Sequence, residues 1–572
     1  MNPLTGRILT IALVLVAALA PPLPAAAQSA GVGATRIGLA LSGGGARGLA
    51  HIGVLKVLEE LRVPISCVAG TSMGAVVGGA FAAGRTPEQM EETVLKTDWG
   101  QVFNDRPPRQ EVSIRRKADD YKTLFAPEFG VTKNGLALPK GIIAGLSIET
   151  YFRALIGPGG DIADFRSLPI PFRAMASDIV TGESVVLSSG SVAQAMRASM
   201  SVPGAVAPVE IGGRLLVDGG ISNNLPIDEA RKLCNADAVI AVNISTPPLR
   251  REEITSALSV SLQLVNLLGK ATVDQQLKNL SARDVLIEPA LGDISASSFE
   301  RAKDAIRIGE EAARALRDKL ARYSMPAQQY AALRTRQTTV KGGLGKVDEI
   351  RFEGLQRSNP EVLSSLVQSK PGEELDENKV GADLRRIYGR GDFEGVDYRI
   401  VNEPGKRVML IEPREKSWGP DYFRIGLGLA TDFTSDSQFN VLAQYRRTWL
   451  NRLGGEWLSE LQVGKDNRFY SEFYQPLEER GRWFVAPNAL AQKITRGIYL
   501  NGDRVAIYDV TRLKAGVDGG AVLGTWGEAR LGPVYQHIKA SVDTGSPLLP
   551  NLDENSAGIA ARLVGDHLDH AW

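Results

Sequence analysis

The sequence predicts a multi-domain chain: an α/β layer domain, then a small α+β unit, then an antiparallel β domain. Three observations carry this. Between Thr35 and about Ser324, short apolar runs alternate with amphipathic stretches, the pattern of strands packed between helices. Beyond Trp418 the apolar period becomes two, in segments of about ten residues. Finally, 572 residues exceed what one core holds, so two to four domains are expected.

In the first domain, Arg36–Leu41 reads as a strand, Leu49–Leu61 as a helix and Ile65–Ala69 as a second strand. Met73–Ala83 follows as a helix of small residues ended by Gly84. Further strands are expected at Phe172–Asp178, Leu215–Val217 and Ala238–Asn243, and helices at Ala257–Leu280 and Phe299–Tyr323. Pro326–Gly345 is polar and without a helical or strand period, and reads as a linker. The small unit runs strand, helix, helix, strand, strand: Val347–Phe352, Asn359–Gln368, Glu377–Gly389, Val396–Val401 and Arg407–Glu412. In the last region Phe423, Ile425, Leu427 and Leu429 alternate with Arg424, Gly426, Gly428 and Ala430. Phe439–Tyr445 and Trp457–Val463 repeat the pattern. A membrane β-barrel and a soluble β-sandwich both show this alternation.

The formal charge of +1, with 23% charged residues, leaves no basic surplus for nucleic acid and no acidic tail. Six of the seven Trp lie after Arg414, so the two ends differ in kind. Residues 1–27 read as an export signal. One basic residue, Arg7, precedes the apolar run Ile8–Ala20, which is shorter than the ~20 residues of a spanning helix, and Ala25-Ala26-Ala27 precedes Gln28. Export permits disulfides, but Cys67 reads as a buried small hydrophobe and Cys234 as a helix-end residue, so two free thiols are expected. No Cys/His spacing suits a metal, and no metal or cofactor is expected.

Two glycine-rich turns carry the chemistry. In Ser42-Gly43-Gly44-Gly45-Ala46-Arg47-Gly48, between a strand and a helix, successive N–H groups can converge on an anionic oxygen. The helix N-terminus adds positive potential at that point. Gly43, Gly45 and Gly48 also fit a dinucleotide pattern, but the second strand ends in Ala69-Gly70-Thr71-Ser72, without the acidic residue that would hold a ribose. The second turn, Gly70-Thr71-Ser72-Met73-Gly74, is a strand-to-helix elbow that exposes a serine. A serine nucleophile needs a base. Only one of the four His, His51, precedes residue 500, and it suits packing or capping better than pairing with Ser72. The remaining candidate is Asp218, in Asp218-Gly219-Gly220 at a strand end. It acts as a base only if held against the hydroxyl in a dry site, and otherwise serves a structural turn.

These three blocks, in this order over roughly Ile37–Ser245, resemble the signature of patatin-like phospholipases. Lys346–Pro413 resembles a POTRA domain, and the region from Trp418 resembles an Omp85-type outer-membrane barrel, the arrangement of type Vd autotransporters. The resemblance implies a patatin-like three-layer α/β hydrolase domain (35–325), a linker (326–345), a POTRA-like domain (346–415) and a barrel (416–572). It implies a Ser–Asp dyad, with Ser72 as nucleophile, Asp218 as proton acceptor, and Gly43, Gly44 and Gly45 with Arg47 as oxyanion site. Gly48, Gly70, Gly74, Gly219 and Gly220 complete the motifs. The expected substrate is a phospholipid or other acyl ester, the setting a Gram-negative outer membrane with the catalytic domain surface-exposed, secreted or periplasmic, and outer-membrane assembly machinery a partner. With room for only about ten strands, the barrel is expected to be partial. Asp98–Gly145, with Arg115-Arg116-Lys117, is expected as a flap over an acyl channel or as a solvated loop. A secretion or assembly protein, and a protease or thioesterase with the same dyad, are the rival readings.

Overall fold

The computed structural model describes residues 35–569 except 123, 125–127, 134, 158–160, 163, 339–343, 432–436, 502 and 547. The expected export signal, 1–27, lies outside the described residues.

Eight strands form the first sheet: β1 (Ile37–Leu41), β2 (Ile65–Thr71), β3 (Phe172–Asp178), β4 (Ser184–Leu187), β5 (Val209–Ile211), β6 (Arg214–Asp218), β7 (Ala238–Val242) and β8 (Val285–Ile287). Their order is β8-β7-β1-β2-β3-β6-β5, with β4 on β3. The pairs from β8 to β3 are parallel, while β6 runs antiparallel to β3. Alternation along the strands makes two cores. Leu39, Leu41 and Val68 pack among residues of the helices Ala50–Glu60, Met73–Ala82 and Ala302–Ala315. Ala40, Ala69, Val239 and Ala241 face Ile227, Ala230 and Val273 of the helices Ile227–Cys234 and Ala257–Leu277. Burial on both faces explains why these strands are continuously apolar.

Two expectations need correction. Cys67 of β2 and Cys234, at the end of the helix packed on it, form a disulfide with Cα atoms 5.9 Å apart. The partners are 167 residues apart, and only the fold brings them within bridging range. The expected linker contains a helix, Ala327–Thr338. Its Arg334 pairs with Glu59 and lies over the Phe81 ring, and its Gln337 reaches the Ile65 carbonyl. Tertiary contacts, not an amphipathic period, hold it in place.

The second unit is a three-stranded sheet, ordered Glu349–Phe352, Lys406–Glu415, Phe393–Glu403. It is covered by the helices Pro360–Ser364 and Glu377–Tyr388, and its core gathers Leu363, Leu384, Ile387, Phe393, Met409 and Ile411. Leu146 of the first domain is buried in that core.

A ten-stranded antiparallel sheet completes the chain. Eight strands come from Asp421 to Gly565, and two, Phe129–Thr132 and Gly135–Ala137, from the first domain. The expectation of about ten strands from the C-terminal region alone therefore falls to eight among the described residues. Three of them, Trp483–Leu500, Asp503–Leu523 and Gly527–Thr544, have 18, 21 and 18 residues, longer than the ten-residue unit assumed. Ile425, Leu427, Phe439, Val441, Trp457, Leu461, Val463 and Phe469 are exposed on one face. Gln444, Arg446, Glu456, Glu460 and Glu472 are buried on the other. This is the reverse of a soluble sandwich and the polarity of a membrane barrel. Among the described residues no helix is long and apolar enough to cross a membrane.

Candidate active site

β2 and β6 flank β3 from opposite directions, and their last residues, Thr71 and Asp218, stop beside its adjacent residues Met175 and Ala176, so they finish close together. Ser72 forms the turn from β2 into the helix Met73–Ala82 at φ 53° and ψ −123°. Positive φ strains a residue that carries a Cβ, so the surroundings must hold it. Ser72 N–H donates to Ser199 Oγ at 2.9 Å, and Ser199 Oγ donates onward to the Met175 carbonyl. Thr71 Oγ1 donates to the Asn223 carbonyl at 2.7 Å. Gly74 lets the helix start against β1, since a Cβ there would collide with the Leu41 carbonyl. Gly70 lies within β2 and Gly48 in the short helix after the first turn.

Ser72 Oγ donates to Asp218 Oδ2 at 2.7 Å. Asp218 Oδ1 accepts the Gly220 N–H at 2.7 Å, and the Asp218 N–H donates to the Ser201 carbonyl at 3.0 Å. Gly219 and Gly220 form the turn that follows. Both members of the pair are nearly dry, Ser72 at 7% and Asp218 at 3% exposure. Burial pushes the Asp218 carboxyl up to about 6, against the bonds from Ser72 and Gly220, which favour its charged form. At neutral pH it is an ionised acceptor of raised basicity on the serine hydroxyl.

The Gly43–Gly45 turn lies against the pair: a Cβ on Gly43 would come within 2.8 Å of Ser72 Cβ and 2.6 Å of Asn224 Oδ1. Gly43 N–H is already used, donating to Asn224 Oδ1 and to the Asn224 carbonyl, each at 3.2 Å. The N–H groups of Gly44 and Gly45 have no acceptor among the described residues, and both glycines are partly exposed. Those two remain free to receive an anionic oxygen. Arg47 departs from expectation: its buried guanidinium donates to the carbonyls of Ile244 at 3.1 Å and Ile294 at 2.7 Å. It braces the flanking loops, and burial lowers its pKa. His51 is fully buried and bonds the Ser42 carbonyl through Nε2 at 2.9 Å, with burial pushing its pKa down to about 4.

Sequence reasoning missed Ser199 and Asn224, which hold the nucleophile turn and the glycine turn. Asn223-Asn224, polar residues just after Asp218-Gly219-Gly220, offered a faint signal; Ser199, in Ala198-Ser199-Met200-Ser201, offered none. The Asp98–Gly145 stretch is neither a flap nor a solvated loop in its basic part, because Arg115 and Arg116 pair with Glu456 of the C-terminal sheet. A recess of about 260 Å³ lined by Met175, Ser222, Asn223, Asp228, Thr272 and Gln276 has neither Ser72 nor Asp218 in its wall.

The family matches place a patatin-like α/β domain first and a POTRA domain after it, and an antiparallel sheet with the polarity of a barrel follows. Residues 39–231 match the family described as patatin-like phospholipase, and residues 345–411 the POTRA family described as surface antigen variable number repeat. An uncharacterized NTE family protein of Mycobacterium tuberculosis is 38% identical over 224 residues, 39% of this chain and 53% of that protein. Patatin-like phospholipase domain-containing protein 6 of Mus musculus is 31% identical over 212 residues, 37% of this chain and 14% of that protein. The chain thus spans about half the length, or less, of these curated relatives. Among solved structures, BamA from Haemophilus ducreyi lacking POTRA domains 1-3 is similar at 15% identity and a TM-score of 0.29, over 39% of this chain and 43% of that one. VipD from Legionella pneumophila is similar at 16% identity and a TM-score of 0.27, over 50% and 67%.

Proposed function

We propose that the chain is a lipid acyl hydrolase of phospholipase A or lysophospholipase type, held at a Gram-negative outer membrane by its C-terminal sheet. The observation that carries the hydrolase reading is the 2.7 Å bond from Ser72 Oγ to a buried Asp218, with Ser72 held at positive φ beside the glycine turn. Ser72 Oγ attacks the acyl carbonyl of the ester as Asp218 Oδ2 takes its proton. The carbonyl oxygen becomes an oxyanion, which the Gly44 and Gly45 N–H groups receive. Collapse expels the alcohol portion, which takes the proton back from Asp218, and leaves the acyl group on Ser72. Water, deprotonated by Asp218, then releases the fatty acid and restores the serine.

A phospholipid is the substrate class favoured by the family match, and the exposed apolar face of the sheet supports a bilayer setting. The test is fatty acid release from mixed phospholipid vesicles by the full chain, its Ser72→Ala form and its Asp218→Asn form. Release by the parent and loss in both variants is expected. A folded parent without activity, or an active Ser72→Ala form, would overturn the proposal.

A further inference from the structure

The C-terminal sheet buries acidic side chains on the face where a segment of the first domain lies. Arg115 donates to Glu456 at 2.8 Å and to Glu472 at 3.0 Å, with its guanidinium 3.9 Å from the centre of the Tyr474 ring. Arg116 donates to Glu456 and to the Arg390 carbonyl, both at 2.7 Å. Lys122 pairs with Glu460, and Arg109 with Asp566. Asp119 has the opposite polarity: it accepts from Arg446 at 2.7 and 3.0 Å and lies 3.6 Å from Arg424. Partners in the ion pairs are more than three hundred residues apart, as 115 and 456 illustrate.

We propose that residues 109–122 moor the first domain to the C-terminal sheet throughout the protein's working life, so that this domain is a resident of the barrel and not a passenger released from it. Glu456, Glu460 and Glu472 have side chains 8%, 3% and 3% exposed, and Arg446 6%. Glu456 is paired with Arg115, Arg116 and Arg446. Withdrawal of the segment would take away two of those three cations. Separating pairs whose partners are held largely out of water costs more than separating exposed pairs. Salt screens such buried pairs weakly, so ionic strength alone would not free the segment. The mixed polarity also fixes position, since shifting the segment along the sheet would set Asp119 against carboxylates. The mooring does not rest on the hydrolase reading and would hold for an inactive domain.

The test uses the full chain, with a C-terminal tag, in membranes of a Gram-negative host. A specific protease site is inserted between Thr338 and Leu344. After cleavage and a high-salt wash, the N-terminal fragment kept with the tagged fragment is measured by immunoblot. The wild-type fragment is expected to stay. The triple variant Arg115→Glu, Arg116→Glu, Lys122→Glu is expected to lose it at least about tenfold more readily. Release of the wild-type fragment, or full retention in the triple variant, would each overturn the mooring. A second measurement needs no cleavage: Lys122→Cys with Glu460→Cys in the full chain should cross-link nearly completely in membranes. A large population that never cross-links would overturn the proposal as well.

Discussion

Asp218→Asn separates what the carboxylate costs the fold from what it does in the reaction. The folded carboxyl is pushed up to about 6 from an ordinary 3.8, so the native state holds its proton more tightly than the unfolded chain. The stability gained from that proton is complete below about 3.8 and is lost as pH rises through about 6. At pH 8 the ionised group therefore burdens the fold by about 3 kcal/mol at most, from ~2 pH units at about 1.36 kcal/mol each. Asn removes the charge and keeps an acceptor for the Gly220 N–H, while the Ser72 hydroxyl can rotate to accept from the amide. The variant should thus unfold about 5 °C higher at pH 8, at roughly 2 °C per kcal/mol for a domain of this size. Near pH 4 it should show almost no gain. Its ester hydrolysis should fall by about 10²–10⁴, the usual worth of a general base. Calorimetry of the first domain's transition in the detergent-solubilised full chain, at both pH values, is the assay. Equal or lower stability at pH 8, or an equal gain at pH 4, would refute the reasoning.

The same titration sets the rate profile: kcat/KM on a neutral ester should fall tenfold per pH unit below about 6, as Asp218 becomes protonated. His51→Gln should leave that limb in place, and its disappearance would make His51 the base. Ser199→Ala strands the buried Ser72 N–H, at a cost of about 1–3 kcal/mol; a lower melting temperature and a drop in kcat with little change in KM would be the readout. Reducing the Cys67–Cys234 bridge should destabilise the first domain by about 2–4 kcal/mol, measured as a lower melting temperature with reductant. A Cys67→Ala/Cys234→Ala form should not respond to reductant, and an unresponsive parent would mean that its thiols are free.

The layers of the first domain were legible because apolar strands and helices of period 3.6 declare themselves within a dozen residues. Ser72 and Asp218 stood out because each sits in a short glycine-marked block at the end of a strand. What stayed hidden depends on distant partners. Arg47 looks free to face the site until Ile244 and Ile294, 197 and 247 residues away, claim its guanidinium. Asn224 and Gly43 are 181 residues apart and meet only in the folded domain. The cysteines gave no pairing signal for the same reason. Arg115 and Arg116 resemble solvated charges because the carboxylates that bury them belong to another domain. The helix Ala327–Thr338 lacks an amphipathic period because its contacts are few and polar.

The unequal strand lengths give the chain a built-in indicator of which way it faces. The hairpin formed by Glu456–Gly464 and Asn467–Pro476 ends its far turn where Asn467 pairs with Lys493, yet the next hairpin continues to Leu500 and Asp503. Those seven further residues extend it by about 24 Å at 3.4 Å per residue. The POTRA domain touches the opposite end, where Asn359 bonds the Arg452 carbonyl and Trp449 bonds Asp392. With the sheet spanning a bilayer as proposed, an epitope placed near Asn501 and another in the POTRA domain would report its opposite sides, and antibody access in intact cells would say which end faces outward.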